Sequence, residues 1–170
     1  MFAAQSAAIA ACSSPRFRVI HFSVQSDHVH LLAEARDAES LSRGIIGLMT
    51  STARAINRIL RRRGPVWTGR YHRHDLATPR EVRNCINYIL QNRRKHVPGT
   101  VGVDPCSSGP WFNGWLDLPI GARAGSRPPV APPTTWLAST GWRRHGLLSL
   151  SEIPGRSRRA SRGHGGEPRA

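Results

Sequence analysis

Acidic residues are scarce in this chain. Ten aspartates and glutamates stand against 25 lysines and arginines, which gives a formal net charge of +15 and a pI near 11.7. Such a charge disfavours basic partners and draws polyanions, and most of the excess is arginine, whose planar fork matches phosphate oxygens. Nucleic acid is therefore the first expectation, with an anionic membrane surface and a GC-biased coding region as competing causes of the same composition. Cysteine is scarce too. Cys12, Cys85 and Cys106 are odd in number and form no C-x-x-C pair, so neither a disulfide framework nor a thiolate zinc site is indicated, and a reducing cytoplasm fits. No apolar run approaches the length that spans a bilayer. The alanine-rich opening has no positive charge ahead of it, so it reads neither as a signal peptide nor as a lipoprotein box.

Periodic patterning is confined to the first part of the chain. Residues 2 to 12 read as a helix closed by Ser13-Ser14-Pro15. Phe17 to Gln25 alternates and is rich in β-branched and aromatic residues, Ser26-Asp27 makes a tight turn, and His28 to Glu34 returns as a second strand. Because strand side chains alternate between faces, His28 and His30 project together with Val29 turned the other way. Two imidazoles on one face are half of a metal site. From Leu41 to about Arg63 the apolar residues recur at three and four as one stripe of a long helix, and Arg43, Arg54, Arg58 and Arg61-Arg62-Arg63 cover its other faces. That basic face is either simply solvated or a surface that tracks phosphates.

Gly64-Pro65 stops the helix, and Val66 to Ala77 reads as a further strand with an irregularity at Gly69. His72 and His74 on it form a rival pair, ranked as polar or DNA-facing because Arg73 lies between them. Thr78-Pro79-Arg80-Glu81 opens the next helix with a cap, a first-position proline and a capping-box glutamate. Val82, Cys85, Ile86, Ile89 and Leu90 form its buried stripe, and Tyr88 and Asn92 fall together on one edge, one turn apart. The chain thus divides into a domain over 1–97 and a Pro/Gly/Arg-rich, mostly irregular tail over 98–170. Two aromatic islands stand out in that tail, around Trp111 and Trp115 and from Trp136 to Leu148, and suit either base stacking or packing back over the domain.

The motifs taken together resemble the IS200-like single-tyrosine transposases of the HUH superfamily, in particular the REP-associated branch. The resemblance is carried by Phe22-Ser23-Val24-Gln25-Ser26-Asp27-His28-Val29-His30-Leu31-Leu32, by Gly64-Pro65-Val66-Trp67 with Arg70-Tyr71-His72, by Thr78 to Arg83, and by Tyr88-Ile89-Leu90-Gln91-Asn92. It implies an α/β (α+β) fold, a ferredoxin-like antiparallel sheet with helices on one face. The family's sheet starts with a strand ahead of the first helix, and that strand is expected to be missing here. By the same resemblance His28 and His30 hold a divalent ion, Mg²⁺ or Mn²⁺, with Asn92 as third ligand, and Tyr88 is the nucleophile that cuts single-stranded or hairpin DNA through a 5′-phosphotyrosine. Arg54, Arg58, Arg61, Arg70 and Arg73 would hold the DNA, in a cytoplasmic, nucleoid-associated protein for which a homodimer is one candidate assembly. The alternatives are a non-catalytic DNA-binding relic and an RNA-binding module, the latter weakened by the lack of paired exposed aromatics on the strands.

Overall fold

A computed structural model describes residues 2–97, 99, 101–118, 127–152 and 154. Among them the chain is α+β, built on one antiparallel hairpin. Helix α1 (Phe2–Ala11) leads into strand β1 (Phe17–Val24), which pairs with β2 (Val29–Ala35). The register sets Val24 opposite Val29, Ser23 opposite His30 and Phe17 opposite Ala35, with a bulge between Val19 and His21. That extra residue turns Ile20 and His21 to one face while Val19 and Phe22 stay on the other, so each face receives its own apolar set.

The first face is covered by α1 and by α2 (Ala38–Ile59), where Ile9, Phe17, Val19, Phe22, Ile45 and Leu48 form one core cluster. Asp37 caps α2 by accepting the Ser40 amide at 2.7 Å. Gly44 lets that helix lie on the Phe17 ring: a Cβ there would stand 2.2 Å from a ring carbon. The helix ends at Ile59, earlier than its arginine-rich extension suggested, and Arg61 takes a left-handed φ of 49° as the chain turns away.

The second face receives α3 (Pro79–Leu90), started by the expected box: Thr78 Oγ1 accepts the Glu81 amide and Glu81 Oε2 accepts the Thr78 amide. Val82, Ile86, Ile89 and Leu90 pack there on Ile20 and Leu32. The helices, expected on one face, thus divide between both.

The rest of this second core comes from beyond residue 100. Phe112, Trp115, Trp142 and Leu148 are buried in it, although the segment holds only 3₁₀ turns at Gly109–Trp111 and Gly141–His145, and a single helical turn at Trp136–Ser139. Between α3 and these turns lies a short helix, α4 (Asn92–His96), so the turn at Trp136–Ser139 is α5. Of the two uses the islands suited, packing claims Trp115 and Trp142. The same segment closes the outer edge of β1: Ser108 N donates to Phe22 O (2.9 Å), Val24 N to Cys106 O (2.8 Å) and Ala131 N to Val19 O (2.9 Å). It is fastened by Arg83, which binds Glu152 through both guanidinium nitrogens at 2.7 and 2.9 Å and also reaches the carbonyls of Gly146 and Leu147.

The strand expected over Val66–Ala77 is not formed. Among the described residues no backbone hydrogen bond reaches Val66 to Leu76, and Thr68 to Asp75 are exposed. Alternation gives a segment the propensity to pair but not a partner, and among the described residues the sheet has two strands. No described helix is long and apolar enough to cross a membrane.

Candidate functional site

His28 sits in the turn residue immediately before β2 and His30 two residues on, so both rings leave the hairpin on the α3 side. Their Nε2 atoms lie 3.0 Å apart, with ring centroids at 4.6 Å. Asp27 explains the orientation: its Oδ1 stands 2.7 Å from His28 Nδ1. An ionised carboxylate can only accept, so Nδ1 carries the proton and Nε2 turns toward His30. The His28 hydrogen bond in turn holds the Asp27 carboxyl below its usual range.

Tyr88 arrives from α3. Its ring lies 4.9 Å from that of His30, edge to face at 74°, and is half-buried at the rim of the second core. A phenol and two converging imidazoles therefore share one spot, brought together by the cap that sets the register of α3 and by the strand alternation that sets the hairpin.

Asn92 behaves differently from its expected place on the same helix. Helix α3 ends at Leu90, Gln91 adopts φ −115° and ψ 13°, and Asn92 begins α4. Its side chain is wholly buried, at 0 % exposure, and among the described residues neither Oδ1 nor Nδ2 has a hydrogen-bond partner. Buried amides are normally satisfied, and an orphaned pair costs about 1–3 kcal/mol per group. This buried amide follows directly on the helix that carries Tyr88.

The two imidazole nitrogens have the spacing of adjacent ligands on a divalent cation. Two ligands about 2.1 Å from an octahedral ion and at right angles stand about 3 Å apart, which is the separation of the two imidazole nitrogens. Imidazole suits Zn, Cu, Fe and Ni, whereas an amide oxygen suits Mg²⁺ and Mn²⁺. Among the described residues no three of His, Cys, Asp or Glu cluster.

The basic residues divide. Arg54 and Arg58 on α2, Arg61 after it and Arg70 are exposed, and among the described residues none is ion-paired. Arg73 is committed to Asp75, with two contacts of 2.6 Å, and Arg43 pairs with Glu39 at 2.6 Å. His72, His74 and Tyr71 lie exposed on the unpaired segment. Asp27 was the one residue at this site that the sequence reading passed over; its place next to the histidine pair was the available signal.

The family model described as Transposase IS200 like matches residues 3–92, just over half of the 170 residues, and the chain belongs to that family. No curated protein and no solved structure matches.

Proposed function

We propose that the protein is a transposase that cuts and rejoins single-stranded hairpin or repeat DNA through a covalent 5′-phosphotyrosine at Tyr88. The observation that carries this reading is the convergence of Tyr88, His30 and His28 within ring-contact distance. His28 and His30 would hold the divalent ion through Nε2, Asn92 would add its amide oxygen, and Asp27 keeps His28 in the tautomer whose Nε2 carries no proton.

When bound, the ion polarises the scissile phosphate and offsets the charge that develops on its oxygens. Tyr88 Oη loses its proton and attacks phosphorus, the Tyr–O–P bond forms, the P–O3′ bond breaks, and the departing 3′-oxygen takes up a proton, so none is gained or lost overall. A phenol is a weak nucleophile and needs this positioning to act. The reverse attack by a 3′-hydroxyl rejoins the strand without ATP. Arg54, Arg58, Arg61 and Arg70 hold the sugar–phosphate backbone, and each contacted phosphate adds about 0.7 to the salt slope on a single strand.

The test is an SDS-resistant adduct on hairpin DNA in Mn²⁺. The wild type forms it, Tyr88→Phe binds the same DNA and forms none, and Tyr71→Phe behaves as the wild type. An adduct on Tyr88→Phe removes the nucleophile assigned here. Salt-sensitive binding with no adduct in the wild type leaves a non-catalytic DNA-binding protein.

A further inference from the structure

Of the five tryptophans, Trp136 is the one that is exposed. Trp115 and Trp142 are buried, Trp111 is half-buried and Trp67 donates its indole proton to Met49 O at 2.8 Å, whereas Trp136, at the start of α5, remains 48 % exposed. The Arg144 guanidinium lies over its ring, 4.8 Å from the centroid. Arg144 and the neighbouring His145 are exposed, and among the described residues neither pairs with an acidic group.

The ring is held firmly for a surface residue. Gly141 presses against it so closely that a Cβ would stand 2.8 Å from Cζ3. The preceding residues are clamped to β2: Thr134 N and Oγ1 donate to Glu34 Oε2 at 2.8 and 2.7 Å, and Thr135 N and Oγ1 donate to Glu34 Oε1 at 2.9 and 2.6 Å. Burial alone would raise the Glu34 pKa, but these bonds hold it below the usual value, so the clamp stays ionised and made. Glu34 is four residues along β2 from His30 and on the same face, about 13 Å at 3.3 Å per residue. A rigid aromatic with a stacked cation is thereby fixed to the strand that carries the histidine pair.

We infer that Trp136 and Arg144 form a stacking subsite for one unpaired base of a single-stranded nucleic acid, lying beside the stretch engaged at His28, His30 and Tyr88. The inference rests on the DNA-processing reading above and adds a position to it. A planar π surface with an adjoining guanidinium takes any base by stacking, while Arg144 and His145 meet the flanking phosphates.

The experiment is an abasic scan. A hairpin oligonucleotide with a single-stranded flank is made with one abasic site at each flank position in turn, and binding is measured by fluorescence anisotropy at fixed salt with the full-length wild type, Trp136→Ala, Trp136→Phe and Arg144→Gln. In the wild type one position weakens binding about 5- to 100-fold. Trp136→Ala loses a similar factor on the intact oligonucleotide and no longer senses that position, Trp136→Phe recovers part of the loss, and Arg144→Gln loses less than Trp136→Ala. A flat scan in a wild type that binds, or a Trp136→Ala protein that keeps both affinity and the scan profile, overturns the subsite and leaves the transposase reading standing. A wild type that binds no single-stranded DNA overturns both. Circular dichroism melting of each variant identifies any loss that comes from unfolding, and Arg144→Gln, which alters only an exposed side chain, then decides the question.

Discussion

Replacing Asn92 by leucine separates stability from function at a single side chain. In the wild type the amide is fully buried with both polar atoms unpaired, and each such group costs about 1–3 kcal/mol. Leucine has nearly the same size and nothing to satisfy. Its branched end will not fit an amide's flat site perfectly, and a shape change in a packed core costs up to about 1–3 kcal/mol. The balance expected in metal-free buffer is a gain of about 1–3 kcal/mol, which for a chain of this size raises the Tm by roughly 2–10 °C. Mn²⁺ then reverses the ranking. At one hundred times its dissociation constant a bound ion adds about 2.7 kcal/mol to the wild type, and Asn92→Leu, lacking a ligand, gains far less. Differential scanning calorimetry of both proteins, with EDTA and across a Mn²⁺ titration, reads both effects. A leucine variant that melts lower without metal, or that gains as much from Mn²⁺ as the wild type, refutes the assignment of Asn92 as a waiting ligand.

Three further outcomes follow from the geometry. Asp27→Asn should weaken Mn²⁺ binding about 10- to 100-fold by calorimetric titration without lowering the Tm in EDTA, because Asp27 is exposed and acts on the His28 tautomer. His21 is buried against Phe112, and burial pushes its pKa down to about 4 from the usual 6.5. The unfolded chain therefore takes up this proton first: the contribution is complete above pH 6.5 and is lost as pH falls toward 4. Over that range it amounts to about 3 kcal/mol, so His21→Leu should flatten the pH dependence of urea unfolding there, and an unchanged slope would contradict the burial argument. Native-state hydrogen exchange should show a one-sided sheet: the Val24 amide, bonded to Cys106 O, protected, and the Leu31 and Ala33 amides, which alternate away from β1, exchanging fast.

Local signals were legible and pairings were not. The hairpin, the shared face of His28 and His30, and the start of α3 at Thr78 could all be read because each depends on residues a few positions apart. The supposed strand over Val66–Ala77 had the right alternation but depended on a neighbour that no local pattern specifies. The end of α3 was misjudged for a related reason: Gln91 is a good helix former, and what holds it out of line is distant, its side-chain amide donating both to Asn87 Oδ1 and to Ser149 O. The tail was aperiodic and so read as irregular, which its backbone largely is. Its contribution to the core comes from Phe112, Trp115, Trp142 and Leu148, large side chains whose spacing follows no period.

The closing of β1 by residues 106–108 and 131 has a consequence for how the protein is made. Phe22 and its partner Ser108 are 86 positions apart. At about 5–20 residues per second, a ribosome needs about 4–17 s to add the residues between them. Throughout that interval the nascent hairpin carries an open strand edge and an uncovered apolar face, the features by which chains pair with one another. Yield in the cell should therefore depend on elongation speed and on chaperone supply, and a ribosome stalled between the codons for α4 and Ser108 would hold out an aggregation-prone intermediate in which the histidine pair has formed before the body that supports it.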